Sequence, residues 1–179
     1  MSDPTLLLIS GSLRKGSFNR MLLKKAAEAF GPANIINGDV DFPLYNGDLE
    51  DAEGPPQKVK DLVEQLKSAD ALIVSAPEYN KGISGVLKNA LDWMSRVDAG
   101  AFKGKPTVVL SAAAGRTGGE TGLFMTQACL SQFQVRFIFG PPVMVAAAHA
   151  EFEENGELKG EVYADMLKTR MQELRSEIT

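Results

Sequence analysis

Short, wholly apolar runs alternate along this chain with longer amphipathic stretches, and that alternation restricts the fold more than any single residue does. Thr5 to Ser10 and Ala71-Leu72-Ile73-Val74-Ser75 are continuous apolar runs of strand length, as expected for strands covered on both faces of a parallel sheet. Asn34 to Asn37, Pro106 to Ala112 and Arg136 to Val145 predict three more strands, the last interrupted by Pro141-Pro142. Between them, helical spacing of apolar residues predicts helices over Asn19–Phe30, Gln57–Ala69, Ser84–Val97, Gly118–Phe133 and Lys159–Glu177. Five strands alternating with helices imply an α/β chain built on a doubly wound, five-stranded parallel sheet of order 2-1-3-4-5. The acidic segment Gly38 to Pro56, rich in turn formers, is read as a solvated loop.

Right-handed crossovers in such a sheet place the ligand crevice at the carboxyl ends of the strands, so the segments after strands 1, 3 and 4 should converge on one site. The length of 179 residues suits one domain spanning positions 1–179. A net charge of −4 offers no clustered basic face for phosphate polymers, so nucleic acid is not an expected partner. Met1 to Thr5 carries no basic leader, and no apolar run approaches the roughly 20 residues that span a bilayer, which points to the cytoplasm. Cys129 is the only cysteine and agrees with a reducing compartment.

One histidine, His149, and one cysteine cannot assemble a common zinc site within the chain, and no nucleophile-elbow sequence serves His149 for a Ser-His-Asp triad. His149 is expected at a strand end or in a loop, and no metal site is expected. An enzyme of this composition would borrow its chemistry from a cofactor.

Directly after the first strand comes Gly11-Ser12-Leu13-Arg14-Lys15-Gly16-Ser17-Phe18-Asn19, which leads into a helix. Helix N termini offer unpaired N–H groups and partial positive charge; Ser12, Ser17 and Asn19 add hydrogen bonds, and Arg14 and Lys15 add positive charge. Gly11 and Gly16 have the spacing of a Walker A loop, but Ser17 follows where that pattern needs lysine. The dinucleotide pattern Gly-x-Gly-x-x-Gly fails at Leu13. A hydroxyl-rich cradle suited to a phosphate monoester, such as that of FMN, remains. Across the predicted crevice, Pro77-Glu78-Tyr79-Asn80-Lys81-Gly82 supplies an irregular backbone and a flat aromatic surface for the edge of a heteroaromatic ring.

These loops, with Gly85-Val-Leu-Lys-Asn-Ala-Leu-Asp-Trp93 behind them, resemble the NAD(P)H-dependent FMN reductase family of flavodoxin-like quinone, chromate and ferric reductases. The resemblance implies a flavodoxin-like fold, FMN as cofactor and NADH or NADPH as co-substrate. It maps the FMN phosphate to Ser12, Arg14, Ser17, Phe18 and Asn19, and the isoalloxazine to Pro77, Glu78, Tyr79 and Asn80, with Ser84 at the next helix start. At the loop after strand 4, where family members carry serines and a glycine, this chain reads Ser111-Ala-Ala-Ala-Gly115-Arg116, so the implied contacts there are Ser111 and Gly115.

No catalytic side chain is implied, because the chemistry lies on the flavin: N5 takes hydride from the nicotinamide in a ping-pong cycle. Electrons then pass to a small-molecule acceptor, with quinones, chromate, ferric complexes, azo compounds and free flavin as the classes in view. Arg96 and Arg116 are candidates for contacting donor phosphates or an anionic acceptor, and equally for surface or interface roles. Family members are usually dimers or tetramers, which implies a homodimer or homotetramer, with the helix after Asn80 and the loop from Tyr45 to Glu53 as candidate contact surfaces. A flavodoxin-type electron carrier without nicotinamide turnover is the alternative; such carriers favour Thr-rich phosphate loops, and Arg14 and Lys15 argue against it.

Overall fold

A computed structural model describes residues 3–178; Met1, Ser2 and Thr179 lie outside it, including the first two positions of the segment read for a targeting signal. The strands are β1 (Thr5–Ser10), β2 (Asn34–Gly38), β3 (Ala71–Ser75), β4 (Glu78–Tyr79), β5 (Gly82–Ile83), β6 (Pro106–Ala112), β7 (Arg136–Phe137) and β8 (Met144–Val145). The helices are α1 (Phe18–Phe30), α2 (Gly47–Glu53), α3 (Gln57–Ser68), α4 (Gly85–Asp98), α5 (Glu120–Ser131), α6 (Ala148–Glu151) and α7 (Glu161–Ser176), with a 3-10 turn at Ala99–Phe102.

The main sheet runs β2-β1-β3-β6-β7, every pairing parallel, and β8 pairs with β6 beyond the end of β7. The doubly wound α/β class is as read from the sequence. Successive side chains point to opposite faces of a strand, and β1 divides its leucines accordingly. Leu7 and Ile9 enter a core with Val59, Leu62 and Leu66 of α3 and Leu87, Trp93 and Met94 of α4. Leu6 and Leu8 enter a second core with Leu22 and Leu23 of α1 and Leu167, Met171 and Leu174 of α7. Trp93 and Met94 are therefore interior residues.

One expectation is narrowed and two are corrected. The fifth strand is interrupted at Pro141-Pro142, which cannot donate to a ladder, as read from the sequence, but the break is wider than expected and leaves two-residue pieces on either side. Arg170, 5 % exposed, donates to the Ile138 and Pro141 carbonyls at 3.2 and 3.1 Å, supplying partners at the break. The acidic segment contains α2, started by Asn46, whose side chain accepts from Asp48 N. Asp48 and Glu50 in its first turn favour the positive end of the helix dipole. His149 sits in the short helix α6 and is exposed, rather than at a strand end or in a loop.

Candidate functional site

The loops after β1, β3 and β6 meet in a cleft of about 220 Å3 at the carboxyl ends of these strands. Its lining comprises Ser12, Arg14, Gly16, Ser17, Phe18 and Asn19 from the first loop, Pro77, Glu78 and Tyr79 from the second, and Ala112, Ala113 and Ala114 from the third. A larger hollow of about 380 Å3 lies on the β2 side of β1, beside Arg20, Asn37 and Asp39. None of the residues Lys15 to Phe18, whose amides are unpaired, lines it.

Ser17 caps α1: its Oγ accepts from Asn19 N at 3.2 Å, and its carbonyl receives the amides of Arg20 and Met21. Among the described residues, the amides of Lys15, Gly16, Ser17 and Phe18 have no protein acceptor, and they surround the first turn of α1. Arg14 and Lys15 are exposed beside them, whereas Ser12 and Ser17 are buried. Ser12 Oγ accepts from Arg14 N, while Arg20 Nε donates to the Ser12 carbonyl at 3.1 Å and steadies the loop from behind. Free amides, a hydroxyl pair and a guanidinium at one helix start fit a dianionic phosphate.

The second wall is a β-hairpin. β4 and β5 pair antiparallel around Asn80 and Lys81, both with positive φ (50° and 62°), the conformation of a two-residue hairpin turn. Tyr79 is about half exposed. The Glu78 carboxylate reaches α5, where Oε2 accepts from the amides of Thr121 (2.9 Å) and Gly122 (3.2 Å), and Oε1 meets Lys81 at 3.0 Å. Lys81 foremost, then the two amides, holds the Glu78 pKa below the ordinary 4.5, against the opposing effect of burial. Because α5 has no side-chain cap of its own, Glu78 serves as its remote cap.

Close backbone approaches fix how these loops meet. A Cβ on Gly11 would stand 2.8 Å from Pro77 Cδ, and one on Gly122 would stand 2.9 Å from Glu78 Cα. Gly119, at φ 88°, leaves room for Ser111 Oγ.

Not every expected residue faces the cleft. Ser84 is fully buried; its Oγ donates to the Gly11 carbonyl at 2.7 Å and accepts from Leu87 N, capping α4. Ser111 is also fully buried and donates to the Ala76 carbonyl. Gly115 lies beyond the lining, its carbonyl accepting from Ala147 N. Asn80 occupies the exposed hairpin turn. Asn19 reaches the cleft floor, but its amide is bonded to Ser75 and Ala112.

Arg96 Nε is held by both carboxylate oxygens of Glu50 at 2.9–3.0 Å, tying α2 to α4. Arg116 is exposed in the loop after β6. Gly16, read only for its glycine spacing, lines the cleft, and Ala112 to Ala114 complete the lining without having been expected as contacts. Apolar, featureless alanines give no chemical signal, and their position just past a strand end was the only clue available.

Comparison with known proteins gives the family. A family model described as NADPH-dependent FMN reductase matches residues 4–150. The chain belongs to that family. It is 38% identical over 178 residues to an NAD(P)H-dependent FMN reductase of Pseudomonas aeruginosa, covering 98% of this chain and 96% of that one. A quinone reductase of Escherichia coli is 41% identical over 117 residues, 64% of this chain and 62% of that relative. Among solved structures, the FerB flavoenzyme NAD(P)H:(acceptor) oxidoreductase from Paracoccus denitrificans superposes with a TM-score of 0.86 at 26% identity, covering 98% of this chain and 97% of that one. As a member of the family, this chain is an oxidoreductase of the flavodoxin-like fold.

No helix among the described residues is long and apolar enough to cross a membrane. The described residues hold no cluster of three or more His, Cys, Asp or Glu placed to bind a metal ion.

Proposed function

We propose that this chain, acting as one domain in the cytoplasm, binds FMN in the three-loop cleft and uses NADH or NADPH to reduce small-molecule acceptors. The observation that carries the reading is the set of unpaired amides at Lys15 to Phe18 beside Arg14, facing a wall of hairpin backbone and alanines. Ser12, Arg14, Ser17 and Phe18 would hold the phosphate. The backbone of Pro77 to Tyr79 and the loop from Ala112 to Ala114 would hold the ring, with Asn19, Ser84 and Ser111 fixing their supports. When bound, FMN accepts hydride from the nicotinamide and returns electrons to an acceptor.

This chain's own part is to grip the phosphate, keep the ring edge against rigid backbone and leave one face open. A single open face makes donor and acceptor take turns, which predicts ping-pong kinetics. Quinones are the first acceptors to test, followed by chromate, ferric complexes, azo compounds and free flavin. Arg116, exposed in the loop after β6, is the candidate to meet an anionic group on either substrate. A homodimer or homotetramer would complete the acceptor pocket, with α4 and the segment around Tyr45 to Glu53 at the contact.

The experiment is direct. The purified protein should release FMN on denaturation and oxidise NADH or NADPH with a quinone, giving parallel lines in double-reciprocal plots. Intersecting lines would reject the shared face, and bound FMN with negligible pyridine-nucleotide oxidation would make the chain an electron carrier instead.

A further inference from the structure

We infer that Asn19 is a positioning residue that locks the phosphate loop to the ring-facing loops through the sheet, and is not itself a phosphate ligand. The inference rests on the FMN reading above. Asn19 is the second residue of α1, and only 3 % of its surface is exposed. Its Oδ1 accepts from the Ser75 hydroxyl at 2.8 Å and from Ala112 N at 3.1 Å, while Nδ2 donates to the Ala112 carbonyl at 2.9 Å.

Each of these partners is the last residue of its strand. Ser75 ends β3 and Ala112 ends β6, and the cleft-lining loops leave from those two points. The β3–β6 ladder closes with Ser75 opposite Leu110 and with Ala76 N bonded to the Leu110 carbonyl, after which β3 turns away at Pro77. Ala112 would then present a buried N–H and C=O to a vanished neighbour. The carboxamide of Asn19 stands where that neighbour's peptide would be, accepting with its oxygen and donating with its nitrogen, and so extends the sheet by one rung. A peptide group is matched by a side chain of the same donor and acceptor pattern.

The backbone of Asn19 is tied to the phosphate loop through Ser17 Oγ. One buried side chain therefore sets the spacing between the phosphate grip and both ring-facing walls. Buried bonds of this kind are strengthened by low local polarity, and losing one partner strands the others unsatisfied.

A phosphate ligand and a spacer differ in one measurable ratio. FMN carries the phosphate, and riboflavin has the same ring without it, so the two dissociation constants of each variant separate grip from spacing. Asn19→Ala should weaken both flavins by the same factor, about tenfold, leaving their ratio at the wild-type value and shifting the visible spectrum of bound flavin. Ser75→Ala removes a hydroxyl whose described bond is to Asn19, and should reproduce the pattern at smaller amplitude; it keeps the test alive if Asn19→Ala does not fold.

A fall in FMN affinity alone, with riboflavin unchanged, would overturn the proposal in favour of a phosphate ligand. Lowered thermal stability with both affinities and the spectrum unchanged would overturn it in favour of a purely structural bond. A wild-type protein that binds neither flavin would instead reject the FMN reading itself, an outcome the same titration shows separately.

Discussion

The two halves of the cleft are built on opposite principles. The loop after β1 exposes Leu13 to Gly16 and leaves amides without acceptors, so a ligand seated there would meet the groups it offers. Around β3 and β6, three polar side chains turn inward instead: Ser84 to Gly11, Ser111 to Ala76, and Glu78 to the start of α5. Their contribution is a fixed shape, finished with the apolar surface of Ala112 to Ala114. Charge can be supplied by a mobile loop, but a flat ring needs backbone that does not move. The two halves should therefore fail differently when mutated.

The largest effect should come from disturbing shape. Gly122→Val drives side-chain atoms into the backbone at Glu78 and Pro77, where even a Cβ would be only 2.9–3.0 Å away. Overpacking of this sort costs about 3 kcal/mol. Urea unfolding should show that loss, and both FMN and riboflavin should bind poorly to the folded remainder. Stability and flavin affinity near wild type would mean that the hairpin yields and the halves are less distinct than described.

Next comes the charge in the offering half. If FMN is held as proposed, Arg14→Ala would remove one charge-assisted hydrogen bond worth about 2 kcal/mol, or roughly thirtyfold in FMN affinity. Riboflavin binding and unfolding should be nearly unchanged, and the deficit should shrink in high salt. An equal loss for both flavins would remove Arg14 from the phosphate grip.

The smallest effect sharpens the comparison through pH. The Glu78 carboxylate is worth about 1 kcal/mol as a negative charge at a helix start. Its pKa is depressed in the folded protein, so its contribution is complete above the ordinary 4.5 and fades as pH falls through the lower folded value. Glu78→Gln should be less stable than wild type at pH 7, and the gap should close as pH drops below 4.5. A gap independent of pH would show that the carboxylate's charge is not what caps α5.

The same contrast explains what was legible in the sequence. β1, β3 and β6 coincide with the predicted apolar runs at both ends, because a strand buried on two faces has no other composition open to it. The loop after β1 drew attention in the sequence because its polar and basic residues are on display, and the structure brings it to the cleft. α2 was hidden because its stabilising acids, Asp48 and Glu50, are also what a solvated loop carries. Asn19, Ser84 and Ser111 were read as ligand-facing because residue type tells which bonds a side chain can make, not the direction in which it makes them. In the structure those bonds join loop to loop across 35 to 93 positions of sequence.

Glu78 capping α5 has a consequence for how the molecule breathes. The amides of Thr121 and Gly122 find their acceptor 43 and 44 residues away, on the far wall of the cleft. Any displacement of the hairpin would strip both amides of their acceptor together, so their deuterium uptake should rise in step and report movement of that wall of the cleft. The first turn of α5 is thereby tied to the position of a wall that lies 43 residues away in sequence.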